Sequence, residues 1–96
     1  MIFSLEFHEK ALKEFRDLDQ AVRTRLKTKL AERLENPHIP AASLRGKPNR
    51  YKVKLMKPAI RLVYEVKDET LVVCVLAVGE RANSTAYTLA AGRDAP

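Results

Sequence analysis

The chain has 96 residues, carries 18 Lys and Arg against 12 Asp and Glu for a net charge of +6, and contains a single cysteine. A chain of that length holds one small domain with one core and a stability margin on the order of 5–10 kcal/mol. No run of about 18 apolar residues is present to span a membrane, the opening MIFSLEFHEKALKEF is too briefly apolar for a secretory signal, and no Cys–His pair has metal-ligand spacing, so the expectation is a soluble cytoplasmic domain with no metal and no small-molecule cofactor.

In chain order, IFSLEF (2–7) alternates well enough for a short strand. From His8 to Leu18 the apolar residues Ala11, Leu12, Phe15 and Leu18 recur at three and four, which predicts a helix with one apolar face. Asp19 stands where a cap for the next helix belongs. In that helix Val22, Leu26, Leu30 and Leu34 recur every four residues with Ala31 beside them, opposite Arg23, Arg25, Lys27 and Lys29. Asn36-Pro37 ends it, because the residue before proline avoids the α region. The two helices read as an antiparallel hairpin.

NPHIPAASLRGKPN (36–49) is a loop punctuated by Pro and Gly. His8 and His38 are expected as ordinary surface residues. Strands follow at about 50–56, 59–67 and 70–79, joined at Lys57-Pro58 and Asp68-Glu69. LVVCVLAV is apolar on both faces and predicts a central, covered strand, with Cys74 as a small buried apolar side chain. NSTAYTLAAG then forms a short C-terminal helix capped by Asn83 or Ser84. The predicted fold is α+β: an N-terminal strand, an antiparallel helical hairpin packed on one face of a mainly antiparallel four-stranded sheet, and a short C-terminal helix. Residues 1–91 form the domain and 92–96 a flexible tail.

The charge is unevenly distributed. Residues 6–35 hold eight basic and seven acidic residues. Arg45 to Tyr64 holds Arg45, Lys47, Arg50, Lys52, Lys54, Lys57 and Arg61 with no acid at all. A concentrated basic patch favours a polyanionic partner; the plain alternative is a solubilising surface.

Side chains alternate faces along a strand. A turn at Lys57-Pro58 pairs Leu55 with Ile60, Val53 with Leu62 and Tyr51 with Tyr64, closing one apolar face. The same register sets Lys54 directly opposite Arg61, with Lys52 two residues away. Directly opposed cations destabilise a sheet. A merely solvated face predicts mixed signs, whereas a cluster without counter-charge predicts an anionic ligand, and Lys and Arg both suit phosphate. A turn at Asp68-Glu69 places Arg61 near Leu76. Arg81, just past that strand, and Tyr87, the only aromatic of the C-terminal helix, then come within reach of the same surface.

ALKEF, SLRGKPNRYKVKL, IRLVYEV and VLAVGERANSTAY together resemble the RelE family of bacterial toxins over about residues 3–90. The resemblance implies a ribosome-dependent endoribonuclease, an mRNA interferase that cuts the codon held in the ribosomal A site. It implies a cognate antitoxin, RelB-like, extended and acidic, as a second partner beside the ribosome. Residue by residue it implies Lys52, Lys54, Arg61, Arg81 and Tyr87 as the catalytic set. Arg45, Lys47, Arg50 and Lys57 are expected to contact RNA or ribosome. Glu80 and Asn83 stand where the family prototype is basic.

On this reading the RNA 2′-oxygen attacks the adjacent phosphate without a metal. Lys52 and Arg61 stabilise charge on phosphorus, Lys54 and Tyr87 are candidates for the base, and Arg81 clamps phosphate or protonates the departing 5′-oxygen. Free Lys and Tyr titrate near 10 and Arg above about 12, so such a site should be feeble on free RNA and depend on the ribosome for in-line geometry. The competing classes are a gyrase-inhibiting toxin of the same fold, which cuts nothing, and a plain RNA-binding module.

Overall fold

The run Val72–Val78 is buried at every position, and the sheet is built around it. The structure, a computed structural model, is described here for residues 2–82 and 85–96. Its elements in order are β1 (Ser4–Phe7), α1 (Glu9–Arg16), α2 (Gln20–Glu35), a single 3-10 turn (Pro40–Ala42), β2 (Arg50–Met56), β3 (Ala59–Lys67), β4 (Val72–Glu80) and α3 (Thr85–Ala91). The sheet order is β1-β4-β3-β2, with β1 parallel to β4 and the other pairings antiparallel. The α+β architecture is the predicted one; β4 lies between two partners, and its two apolar faces are covered by helices on either side.

The helical hairpin covers one face. Ala11 and Phe15 of α1 and Val22, Leu26 and Leu30 of α2 pack on Val53, Leu55, Leu62, Tyr64, Val73, Val75 and Val78. Each large apolar side chain so buried contributes about 1.5–3 kcal/mol, which outweighs the weak intrinsic stability of an eight-residue helix such as α1. Ala31 is exposed rather than part of that stripe. The other face is covered in part by α3, whose Ala86 and Ala90 pack on Val63, Cys74, Leu76 and Ala77. Burial, with the charge of Glu6, pushes the Cys74 thiol up, consistent with an inert core residue.

The first hairpin has the predicted register throughout, including Tyr51 with Tyr64 and Lys54 with Arg61. The second does not. Its turn runs from Asp68 to Leu71, with Leu71 at φ 57°, and Lys67 pairs with Val72. A β-bulge then inserts Leu76: Tyr64 pairs with Val75 but Val63 pairs with Ala77. Arg61 therefore stands opposite Gly79, not near Leu76. The extra residue also reverses the alternation along β4, turning Val78 to the hairpin face and Gly79 to the face of Arg61.

Several ends are tied by side chains. His8 Nδ1 accepts from the Lys10 N–H (3.1 Å) and so caps α1. Asp19 occupies the N-cap position of α2 but makes no capping hydrogen bond; the preceding turn is held by Arg23, which donates to the Leu18 and Arg16 carbonyls. Asn83 and Ser84, the predicted caps of α3, lie outside the described residues. His38 pins the 36–49 loop, donating to Asp68 Oδ1 (2.7 Å) and, in its neutral form, accepting from the Tyr51 hydroxyl (3.0 Å). Behind it the buried Tyr64 hydroxyl donates to the Pro37 carbonyl (2.7 Å) and accepts from Arg33 Nη1 (2.9 Å). Burial raises the Tyr64 phenol, opposed by the Arg33 hydrogen bond and charge. No helix among the described residues is long and apolar enough to cross a membrane.

Candidate active site

On β2 the burial alternates: Val53 and Leu55 face the core, while Lys52 is half-buried and Lys54 exposed on the opposite face. Lys54 pairs with Arg61 and Lys52 with Val63. Three cations thus occupy neighbouring positions on one sheet face. Arg61 is 7% exposed, and its Nη1 donates to the Leu55 (3.2 Å) and Ile60 (3.1 Å) carbonyls. Carbonyl partners orient the guanidinium without neutralising it. Among the described residues the ion pairs are Glu14–Arg93, Glu65–Arg50, Asp94–Lys47 and Asp68–His38. None of these includes Lys52, Lys54, Arg61 or Arg81. An uncompensated charge in a partly dehydrated setting interacts more strongly with an arriving anion than one in bulk water.

Arg81 continues the ladder. Its N–H donates to the Ala59 carbonyl (2.9 Å), two positions beyond the Arg61–Gly79 pair, and its side chain is exposed. The bulge that sets Gly79 beside Arg61 thereby sets Arg81 on the Arg61 side of the register. Gly79 also admits α3. A Cβ there would lie 3.2 Å from Thr85 Cβ and 3.3 Å from the Ala86 nitrogen, so the first turn of α3 rests on the glycine. Tyr87, half-buried on that helix, lines a groove of about 240 Å³ with Leu44, Arg45, Gly46, Lys47 and Arg50. A second groove, about 330 Å³, runs along the outer edge of β2 between α2 and the 3-10 turn and is lined by Lys29, Glu32, Arg33, Ile39, Lys52 and Lys54, with Glu32 ion-paired to none of these cations.

The four residues expected to touch RNA or ribosome separate. Arg45 is exposed beside Tyr87. Lys47 shares that groove but pairs with Asp94 (2.9 Å), whose carboxyl the lysine holds below the usual range. Lys57 is exposed in the β2–β3 turn, with its carbonyl accepting from Arg25. Arg50 requires correction. It is 5% exposed, and every donor group has an internal partner: Nε to Glu65 (2.8 Å), Nη1 to the Ala90 carbonyl (2.6 Å) and Nη2 to the Arg93 carbonyl (2.8 Å). A guanidinium buried and bonded in this way is committed to the fold rather than presented to a phosphate.

The segment after α3 makes contacts back to the domain. Arg93 donates to both Glu14 oxygens (2.9 and 2.7 Å) and to the Leu76 carbonyl (2.9 Å), and Lys67 donates to the Pro96 carbonyl. Burial raises the Glu14 carboxyl, but hydrogen bonds from Arg93 and the Val78 N–H, with the Arg93 charge, hold it below the ordinary carboxylate value. Among the described residues no group of three or more His, Cys, Asp or Glu is placed to hold a metal ion.

The comparisons with known proteins agree with this geometry. Residues 5–84 match the family model described as the ParE toxin of type II toxin–antitoxin systems, parDE. The chain is 50% identical over 93 residues to the mRNA interferase toxin RelE of Escherichia coli K12, covering 97% of this chain and 98% of that one. A mutant of E. coli toxin RelE solved in the free state superposes with a TM-score of 0.90 at 49% identity, over 97% of this chain and 98% of that one. The intact E. coli RelBE toxin–antitoxin complex gives a TM-score of 0.81 at 51% identity, over 84% of this chain and 99% of the matched chain. With its helical hairpin, its bulged central strand and its row of unanswered cations, this chain belongs to the ParE toxin family of type II toxin–antitoxin systems, as a RelE-type member.

Proposed function

We propose that this chain is a toxin acting as a ribosome-dependent endoribonuclease, cutting mRNA in the ribosomal A site in the cytoplasm, and silenced by a cognate RelB-like antitoxin. The observation that carries the reading is the direct opposition of Lys54 and Arg61, neither of them ion-paired to a carboxylate among the described residues. An RNA phosphodiester supplies the missing charge. The relatives at half identity named mRNA interferase support the same reaction. An extended acidic antitoxin suits the same basic surface.

In the proposed reaction the 2′-oxygen loses its proton to a base, Lys54 or Tyr87, and bonds to phosphorus. The P–O5′ bond breaks, leaving a cyclic phosphate on one fragment, and the 5′-oxygen takes a proton, for which Arg81 is the candidate when it is not simply clamping phosphate. Lys52 and Arg61 stabilise the charge on the phosphoryl oxygens. Arg45 and Lys57 contact RNA or ribosome; Lys47 does so by exchanging Asp94 for phosphate. Lys, Tyr and Arg are poor proton-transfer groups at neutral pH. Orientation of the message by the ribosome therefore supplies several kcal/mol of the rate.

The test is single-turnover cleavage on saturated, programmed ribosomes and on naked RNA. The wild type cuts within the A-site codon on ribosomes and barely at all on naked RNA, and Arg81→Ala and Tyr87→Phe are slower. Wild-type rates in both variants reject these roles. Growth arrest with DNA breaks and intact mRNA, on inducing the chain alone, rejects the nuclease reading in favour of a gyrase inhibitor.

A further inference from the structure

α3 is a poor helix to carry a functional side chain. It has seven residues, Thr85–Ala91, too few to be helical alone, and the fully buried side chains it contributes to the sheet are those of Ala86 and Ala90. Its far end is held in another way. The Ala90 and Arg93 carbonyls, at and just past its last turn, accept from Nη1 and Nη2 of Arg50, whose Nε is fixed by Glu65 of β3. Carbonyls at a helix C-terminus lack intrahelical partners and carry partial negative charge, so a buried guanidinium satisfies both needs.

The side chain of Arg93 then reaches the open edge of β4. β1 pairs with β4 only as far as Val75, and beyond it the ladder is completed by side chains. Arg93 donates to the Leu76 carbonyl and, in a two-pronged pair, to Glu14 of α1, while Glu14 Oε1 also accepts from the Val78 N–H (3.1 Å). The Arg93 side chain is 10% exposed. Two arginines and two carboxylates, from four different segments, thus fasten one end of α3. The other end rests on Gly79, next to Arg61.

We propose that the Glu14–Arg93 pair, acting with Arg50 and Glu65, is a clasp that positions Tyr87 on the cationic face by fixing the last turn of α3. Arg93 and Glu14 are positioning residues, acting through Tyr87. The inference rests on the proposed role of Tyr87 and adds to it residues on the far side of the helix from the cationic row.

Two measurements on the full chain test it. The first is amide hydrogen exchange. Arg93→Ala, and more mildly Glu14→Gln, speed exchange in residues 85–91 while β2 and β3 remain protected; unchanged exchange in α3 overturns the clasp. Glu14→Gln preserves the shape of the carboxyl and serves where Arg93→Ala does not fold. The second is a double-mutant cycle in single-turnover cleavage on saturated ribosomes. Arg93→Ala slows cleavage, by up to about 100-fold for a displacement near 1 Å, without weakening ribosome binding. In a Tyr87→Phe background the same substitution costs little further. Equal losses in both backgrounds, or no loss in either, overturn the positioning role. If Tyr87→Phe alone cleaves at the wild-type rate, the proposed chemistry of Tyr87 has failed and the positioning claim falls with it, while the exchange result still decides the clasp.

Discussion

Lys54 and Arg61 face each other across adjacent antiparallel strands, one exposed and the other 7% exposed, with no carboxylate among the described residues paired to either. Cross-strand like charges are destabilising, and opposite charges in the same place contribute up to about 1 kcal/mol. Lys54→Glu is therefore expected to raise the stability measured by urea unfolding while lowering cleavage on programmed ribosomes. A variant that is less stable and fully active removes the case for a vacant anion site.

Binding to single-stranded RNA should weaken with salt. Each phosphate contact contributes a log–log slope of roughly −0.7, so Lys52, Lys54 and Arg61 together predict a slope near −2. Lys52→Ala should make it shallower by one such step. A flat response in the wild type excludes phosphate from this face.

Gly79 lets α3 approach the sheet. In Gly79→Ala the new methyl stands 3.2 Å from Thr85 Cβ, tighter than ordinary contact, and the helix must move. Overpacking of this kind costs about 1–3 kcal/mol. Thermal unfolding should show that loss, and cleavage should fall in parallel with increased amide exchange in α3.

Tyr64 has no exposed surface, and its hydroxyl serves both the Pro37 carbonyl and Arg33. Tyr64→Phe takes the hydroxyl donor from the Pro37 carbonyl and leaves Arg33 Nη1 with the Lys52 carbonyl alone, at a cost of about 1–3 kcal/mol in unfolding experiments. The 36–49 loop should loosen first, with earlier proteolysis there. A neutral substitution means water replaces the hydroxyl.

Acid should open the clasp. The Glu14 carboxyl is held below its ordinary value of 4.5, so its contribution to stability is complete above that value. It is lost as the pH falls through the folded-state value. Stability curves of wild type and Glu14→Gln should differ most near neutrality and converge only as the pH falls through the lowered folded-state value. Parallel curves at all pH values place the acid sensitivity elsewhere.

How much of this was open to reading depends on how strongly each segment specifies itself. The β2–β3 register is legible because YKVKL and IRLVY each have one apolar face, so a one-residue slip would bury lysine. LVVCVLAVGE is apolar on both faces. Leu76 and Ala77 are both buried, and inserting one residue leaves the hydrophobic pattern unchanged. The bulge that moves Gly79 and Arg81 to the Arg61 side therefore has no sequence signature. Arg50 is different. The register that joins Tyr51 to Tyr64 also sets Arg50 opposite Glu65, the one acid of β3, which is signal enough to assign it inward. Arg93 is not legible at all, because its partner Glu14 is 79 residues away and its other acceptor is a backbone carbonyl.

The strand order β1-β4-β3-β2 makes the last strand in the chain the middle one in space. During synthesis β1 leaves the ribosome early and waits for a partner that is still being translated. Until β4 is made, Lys54 and Arg61 lie on a two-stranded hairpin without Gly79 and Arg81 beside them, so the cationic row is completed only when the middle of the sheet is filled.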